Sequence, residues 1–126
     1  TMMAGLLHAS SNEENILGIP VLKNYNDMEK EIKLLLPEDD QVKKINLEHA
    51  YHFGGYAKKT AELIDFMNAF YRLNIIPTDF IYTGKLMFAI CDLIMKDFFP
   101  TGSTILAIHS GGLQGNRSLK KGMLDF

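Results

Sequence analysis

The sequence predicts an α/β fold in three layers, with a mainly parallel sheet flanked by helices. Segments with the apolar periodicity of helices alternate with short runs rich in β-branched residues, the order typical of such folds. The clearest strand is predicted at residues 104–108, and the clearest buried helix at residues 86–99, which are apolar on more than one side. Ligands of parallel sheets bind beyond the carboxyl ends of the strands, so the turns there are where a site is expected.

Composition restricts the class of protein. The 126 residues, 47% of them hydrophobic, suit one compact domain. A net charge of −2 gives no electrostatic footprint for nucleic acid, and no run approaches the roughly 18 consecutive apolar residues of a membrane helix. We therefore expect a cytoplasmic protein that binds neither nucleic acid nor membrane. The single cysteine, Cys91, lies inside the predicted buried helix and is expected to be an inert thiol.

The remaining elements follow from apolar periodicity and from turn-forming and capping residues. Pro20 makes the first strand an edge strand or an irregular one. The chain opens directly on a helical run without a lead-in loop, so we expect it to be a piece of a longer protein. In chain order the predictions are a helix over residues 1–10, a strand over 15–22, a helix capped by Asn26 or Asp27 and ended by Pro37, a short strand or loop near 45–47, and a helix capped by Thr60 and running to about Leu73.

Histidines and tyrosines crowd beside two glycines at residues 49–56. Imidazole is the commonest metal ligand, so His49 and His52 raise the question of a metal site. They lack Cys, Asp or Glu partners at ligand spacing, and we predict no metal site there.

Two stretches are candidates for a functional site, residues 79–85 and the glycine-rich turn at residues 108–112. Gly84 allows the backbone to approach a ligand closely or to take a conformation that other residues avoid. The start of the following helix presents unpaired N–H groups, so Thr83 and Gly84 lie where an anionic or polar ligand atom is favoured. In the alternative interpretation, Thr83 is only an N-cap and Tyr82 an aromatic residue at a strand end.

Three motifs carry a resemblance to a known family: Tyr82-Thr83-Gly84-Lys85, His109-Ser110-Gly111-Gly112 and Gly54-Gly55-Tyr56. In this order and at this spacing they resemble the C-terminal half of the pyridoxal-phosphate enzymes grouped as 1-aminocyclopropane-1-carboxylate deaminases and D-cysteine desulfhydrases. The resemblance runs from Thr1 to about Gly115. It implies part of a tryptophan synthase β-like fold, in the larger, cofactor-binding domain, without the N-terminal half that carries the Schiff-base lysine.

The resemblance implies that this half supplies the far wall of the active-site pocket. Tyr82 and Tyr56 are then the catalytic residues, which transfer a proton or position the bond to be broken. A phenol suits either task if its environment lowers its pKa from about 10. The pyridine nitrogen would receive a hydrogen bond from a hydroxyl, either Thr83 or Ser110. The implied cofactor-binding residues are Thr83, Ser110, Gly111 and, as the remnant of a phosphate-binding loop, Thr1.

Departures from the family's pattern bear on the reaction. At the motif of residues 82–85, the cyclopropane-carboxylate deaminases carry a sequence similar to Tyr-Glu-Gly-Lys, with the glutamate facing the pyridine nitrogen. This chain has Thr83 at the position of that glutamate. A hydroxyl leaves a weaker electron sink, which favours a D-cysteine desulfhydrase-like α,β-elimination to a keto acid, ammonia and sulfide over ring opening. Thr78 and Phe80 also stand where the family favours leucine and proline. Lys85 is expected to be structural, or a charge near the site, and not the cofactor's anchor.

The implied partners are a small amino-acid substrate, the rest of the same polypeptide and, as the family suggests, a second copy in a homodimer. This chain alone is expected to be inactive. Two other interpretations stay open. One is a noncatalytic α/β domain derived from this family that binds a ligand or partner. The other is a different pyridoxal-phosphate enzyme of the same fold type, against which the motif at residues 82–85 argues.

Overall fold

The computed structural model describes residues 2–11 and 14–126. Helices dominate it, and the two strands form a small parallel sheet. No helix in the described ranges is long and apolar enough to cross a membrane. The helices are α1 (Met2–Ala9), α2 (Met28–Leu34), α3 (Ala61–Asn74) and α4 (Thr83–Met95); the strands are β1 (Leu17–Gly18) and β2 (Asn46–Leu47); and short 3₁₀ helices span Glu38–Asp40, His49–Tyr51 and Leu113–Ser118.

The sheet is narrower than predicted. β1 and β2 pair in parallel, with Leu17 opposite Asn46 and Gly18 opposite Leu47. Both lie inside the segments where strands were predicted, and the α/β class is confirmed in this coarse form. The described residues do not form the predicted three-layer arrangement, because the sheet has only these two strands.

The predicted central strand at residues 104–108 is wrong for the described structure. The segment is irregular and largely exposed, with Leu106 84% accessible. A β-branched apolar run becomes a strand only when a neighbouring backbone takes up its N–H and C=O groups. No described strand lies beside this segment to do so.

The helices agree better with the predictions. α1, α2 and α3 occupy the predicted segments, and the Thr60 hydroxyl caps α3 by accepting a hydrogen bond from the Leu63 amide at 3.2 Å. α4 runs over Thr83–Met95, whereas the apolar pattern predicted residues 86–99. Its end is set by Asp97, whose φ of 53° is left-handed, with the Phe98 amide bonded back to the Leu93 carbonyl at 3.0 Å.

Among the described residues, the core consists of three clusters. One lies between α1 and α2, and the other two lie on either side of α4, where α3 and the 3₁₀ helix at His49–Tyr51 pack. Phe53 and Phe88 contact both of the α4 clusters, with ring centroids 4.8 Å apart, and so join them into one packed unit. The middle of α4 is therefore packed on both sides.

Candidate active site

Asp79 organises the first turn of α4. Its side chain is fully buried at 0% exposure. Oδ1 accepts hydrogen bonds from the amides of Ile81 and Tyr82 at 2.9 and 2.8 Å. Oδ2 accepts from the Thr83 amide at 2.9 Å and from the Thr83 hydroxyl at 2.6 Å. Asp79, and not Thr83, thus caps the helix, because a carboxylate can accept several of the amides that a helix start leaves unpaired.

The Thr83 hydroxyl is used within the protein. Besides donating to Asp79, it accepts a hydrogen bond from the Asp79 amide at 2.8 Å, and the residue is buried. The amide of Gly84 is bonded to the Asp79 carbonyl at 2.7 Å. The start of α4 therefore differs from the anion-binding position expected from the sequence, because the chain's own carboxylate and carbonyl already occupy its amides. A cofactor-binding role for Thr83 stays a prediction.

Gly84 permits a close approach within the protein. A Cβ atom at this position would lie 2.8 Å from the Asp79 carbonyl oxygen and 2.9 Å from the sulfur of Met67. Met67 belongs to α3 and is fully buried. The glycine thus lets α3 and the capping turn pack against the first turn of α4.

The glycine-rich turn packs against the turn that carries Asp79. The His109 ring is hydrogen-bonded through Nε2 to the Pro77 carbonyl at 2.9 Å. The Asn116 side chain donates to the Thr78 carbonyl at 2.9 Å and accepts from the Phe80 amide at 3.1 Å. A Cβ atom at Gly112 would lie 3.0 Å from Oδ2 of Asp79. The two motifs that the sequence singled out are therefore neighbours in space.

Tyr56 and Tyr82 come together on the surface. Their ring centroids are 6.0 Å apart with the planes inclined at 64°. Both are half-exposed, at 52% and 46%. A hydrogen bond with Tyr56, together with burial, raises the pKa of Tyr82. The pKa of Tyr82 is thus raised and not lowered, because its neighbours stabilise the neutral form of the phenol.

Lys85 contacts the loop that carries Tyr56. It has no exposed surface, and its Nζ donates to the carbonyl oxygens of His52 and Gly55, both at 2.8 Å. Burial lowers the pKa of Lys85 to about 8, against a smaller opposing effect of Asp79. These contacts give Lys85 the structural place expected from the sequence.

The remaining predicted cofactor residues lie in the glycine-rich turn and at the start of the chain. Ser110 is exposed, and within residues 2–11 and 14–126 no side chain or backbone group is hydrogen-bonded to its hydroxyl. Gly111 has a φ of 84°, and its amide donates to Nδ1 of His109 at 3.2 Å. Thr1 lies outside the described residues.

One concave feature of the described surface lies away from the tyrosines. A cavity of about 300 Å³ is lined by residues of the 22–29 segment together with Leu47, His49 and His52. No group of three or more His, Cys, Asp or Glu side chains that could hold a metal occurs in the described part of the chain. Tyr56 and Tyr82, which are both half-exposed, do not line this cavity.

Two residues that position the site were missed in the sequence. Asp79 is of a type preferred at helix starts and precedes the helix, a signal that could have identified it as the cap. Asn116 has no such signal, because its role depends on a turn that returns to Thr78 and Phe80 from far along the chain.

No profile of a known protein family matches the chain, and no solved structure does. Curated proteins do match. A protein of Pyrococcus abyssi, provisionally named 1-aminocyclopropane-1-carboxylate deaminase, is 29% identical over 121 residues, which cover 89% of this chain and 36% of the relative. The 1-aminocyclopropane-1-carboxylate deaminase of Methylobacterium nodulans is 39% identical over 77 residues, 61% of this chain and 22% of the relative. That of Allorhizobium ampelinum is 35% identical over 94 residues, 75% of this chain and 26% of the relative. The chain spans 36% or less of the length of these three relatives.

Proposed function

We propose, for a chain that is related over most of its length to the 1-aminocyclopropane-1-carboxylate deaminases, that it forms one wall of the active site of a pyridoxal-phosphate-dependent deaminase or lyase. The substrate is a small amino acid. The observation that carries the proposal is the contact between Tyr56 and Tyr82, whose ring centroids lie 6.0 Å apart although each belongs to a different motif. The glycine-rich turn, packed against Asp79 beside them, supplies the adjoining surface.

Of the two hydroxyls that could bond to the cofactor's pyridine nitrogen, that of Ser110 fits better than that of Thr83. Thr83 has its hydroxyl committed to Asp79 in both directions, whereas the Ser110 hydroxyl has no hydrogen-bond partner in the described ranges. Ser110 is thus the residue that would bond to the pyridine nitrogen, and Gly111 beside it would let the turn approach the ring. When bound, the cofactor supplies an electron sink for the bond-breaking step at the substrate's α-carbon.

The tyrosine pair would hold and deliver a proton. The phenol of Tyr82, whose pKa is raised further above its ordinary value of about 10, is neutral near pH 7, so Tyr82 can donate a hydrogen bond or a proton to a substrate. Tyr56, whose ring centroid lies 6.0 Å from that of Tyr82, orients it. A neutral phenol suits protonation of a leaving group as that group departs from the substrate's β-carbon.

We further propose that the reaction is the α,β-elimination of a D-amino acid such as D-cysteine, giving a keto acid, ammonia and sulfide. Position 83 supplies no acidic partner for the pyridine nitrogen, because the residue there is a threonine whose amide and hydroxyl are bonded to Asp79. A hydroxyl such as that of Ser110 would leave the pyridine nitrogen unprotonated and the electron sink weaker. That combination supports elimination more than opening of the cyclopropane ring. The lysine that anchors the cofactor is then supplied from outside this chain.

The test uses the natural protein that contains this sequence, supplied with pyridoxal phosphate. We expect release of sulfide from D-cysteine at a higher kcat/KM than release of ammonia from 1-aminocyclopropane-1-carboxylate. Tyr82→Phe should lower kcat by roughly 100-fold or more, because the general acid is lost. Tyr71→Phe is the matched control, since Tyr71 packs against Phe126 in the α3 region and should leave kcat unchanged.

The outcomes separate the candidates. An unchanged kcat in Tyr82→Phe would remove Tyr82 from the chemistry. Preference for the cyclopropane substrate would reject the elimination. No turnover of either substrate by the folded, cofactor-loaded protein would favour the alternative, a noncatalytic α/β domain of this family that binds a ligand or partner.

A further inference from the structure

We infer that Lys85 is a positioning residue that fixes the loop carrying Tyr56 against the helix carrying Tyr82. The inference rests on the proposed function for its consequence in catalysis, but its geometry stands apart from it. Lys85 lies in the first turn of α4, directly after the motif's Tyr82, Thr83 and Gly84. Gly55, one of its two carbonyl partners, directly precedes Tyr56.

The loop at residues 52–57 has a strained backbone that contacts from outside the loop must stabilise. Phe53 and Ala57 have left-handed φ angles of 50° and 52°, and Gly54 and Gly55 between them have φ angles of 92° and 120°. Left-handed backbone at a residue with a side chain costs about 1 kcal/mol or more. Such a conformation persists only where surrounding contacts determine it.

Lys85 stabilises the loop as a bound cation would, by binding two of its carbonyl oxygens. The carbonyl oxygens of His52 and Gly55 converge on its Nζ at 2.8 Å each. The same two carbonyls accept the loop's own amide bonds, from Gly55 at 3.0 Å and from Lys58 at 3.2 Å. One buried ammonium therefore closes both turns of the loop.

Burial makes this contact a strong constraint. Lys85 has no exposed surface, and no carboxylate lies within ion-pair distance of it among the described residues. Loss of the ammonium would leave the buried Gly55 carbonyl and the half-buried His52 carbonyl with one fewer partner each, which is costly inside a protein. Because Tyr82 directly precedes the helix that bears Lys85, the position of Tyr56 relative to Tyr82 is set through Lys85.

The first test compares Lys85→Met with Lys96→Met in this chain, with no cofactor or substrate present. Lys96 is the matched control, because it lies at the end of the same helix and pairs with Asp92 at the surface. With tyrosine rings carbon-13 labelled, and Tyr56→Phe and Tyr82→Phe used for assignment, nuclear magnetic resonance reports the ring contact and the pKa of Tyr82. We expect Lys85→Met to abolish the cross-peaks between the Tyr56 and Tyr82 rings and to return the pKa of Tyr82 toward about 10.

Lys96→Met should change neither reading. A folded Lys85→Met that keeps both the ring contact and the raised pKa of Tyr82 would overturn the inference. Because neither reading involves turnover, this outcome is distinct from failure of the proposed function.

A second measurement on the unaltered chain applies even if Lys85→Met does not fold. Acetylation of the native protein, followed residue by residue with mass spectrometry, should modify Lys96 early and Lys85 last. Modification of Lys85 as fast as Lys96, in protein that stays folded, would show that the ammonium is not held and would equally overturn the inference.

Discussion

At the scale of single residues, the candidate site depends on two fully buried charged side chains, Asp79 and Lys85. Each is met mainly by backbone dipoles. Asp79 accepts three amides at the start of α4, and Lys85 donates to two loop carbonyls. Hydrogen bonds of this charge-assisted kind offset the cost of removing the charges from water. Both residues therefore shape the backbone from which Tyr56 and Tyr82 project.

Removal of the Asp79 carboxylate should destabilise the protein strongly. We expect Asp79→Ala to lower the free energy of unfolding by about 3 kcal/mol, because three amides and the Thr83 hydroxyl lose their acceptor. Asp65→Ala is the control, since Asp65 is an exposed residue of α3, and it should stay within about 0.5 kcal/mol. Urea denaturation measures both. Equal effects of the two substitutions would show that Asp79 is not the cap.

The buried amine of Lys85 predicts a dependence of stability on pH. Its pKa is lowered to about 8 in the folded state, so between pH 8 and 10 the unfolded chain binds more protons than the folded chain. Stability should therefore rise with pH in this window, by up to about 1.4 kcal/mol per pH unit. The nearby charge of Asp79 opposes the shift but does not cancel it.

The upper limit of that window is set by tyrosine. Burial raises the pKa of Tyr51 to about 12, and above pH 10 the unfolded phenol ionises first, which lowers stability. Urea denaturation at intervals from pH 7 to 10 tests the prediction. The rise should vanish in Lys85→Met, and a flat or falling profile in the unaltered protein would contradict it.

At the scale of elements, the site is where α4 packs between α3 and the 3₁₀ helix at His49–Tyr51. Leu63 and Met67 of α3 are fully buried on one side, and Ala89 and Leu93 of α4 belong to the cluster on the other. The Tyr51 hydroxyl donates to Asp92 of α4 at 2.7 Å, which ties the second side to the helix. The close packing of Gly84 against Met67 and Asp79 thus helps to fix the position of Tyr82, two residues earlier.

Two helical glycines give opposite predictions for the same substitution. A methyl group at Gly84 would overlap the Asp79 carbonyl oxygen and the Met67 sulfur, so Gly84→Ala should destabilise by about 1–3 kcal/mol. At Gly5 of α1 a Cβ atom meets nothing within 4 Å, so Gly5→Ala should stabilise by about 0.5–1 kcal/mol. Thermal and urea denaturation of both variants provide the measurement. Stabilisation by Gly84→Ala would contradict the close approach of α3.

At the scale of the whole molecule, the helices and the two strands of the small sheet lie in segments that the sequence predicted, whereas the predicted central strand did not form. Apolar periodicity and the Thr60 cap act within a few residues, so α1, α2 and α3 were found. A strand at residues 104–108 depends on a partner strand, which local sequence cannot supply. The contact of Tyr56 with Tyr82 followed from the family's motifs, whereas the roles of Asp79 and of the Lys85 carbonyl contacts required the folded backbone.

The exposed apolar side chains also belong to this scale. One group of them lies from the end of α4 into the irregular segment after it, namely Met95, Phe98, Ile105, Leu106 and Ile108, and others lie at the ends of α2 and α3 and in the loops. The first group includes the segment in which the strand at residues 104–108 was predicted. The candidate site lies at the opposite end of α4, where Asp79 is hydrogen-bonded to the Thr83 amide and Lys85 to the His52 carbonyl.

The most direct test of the proposed division of the active site is to locate the lysine that binds pyridoxal phosphate. This chain and the natural protein that contains it are each incubated with the cofactor, reduced with borohydride and mapped by peptide mass spectrometry. We expect no lysine of the 126 residues to be labelled specifically, Lys85 included, and a single labelled lysine outside them in the natural protein. Stoichiometric labelling of one lysine within this chain would contradict the proposal, because the anchor and the tyrosine wall would then belong to the same segment.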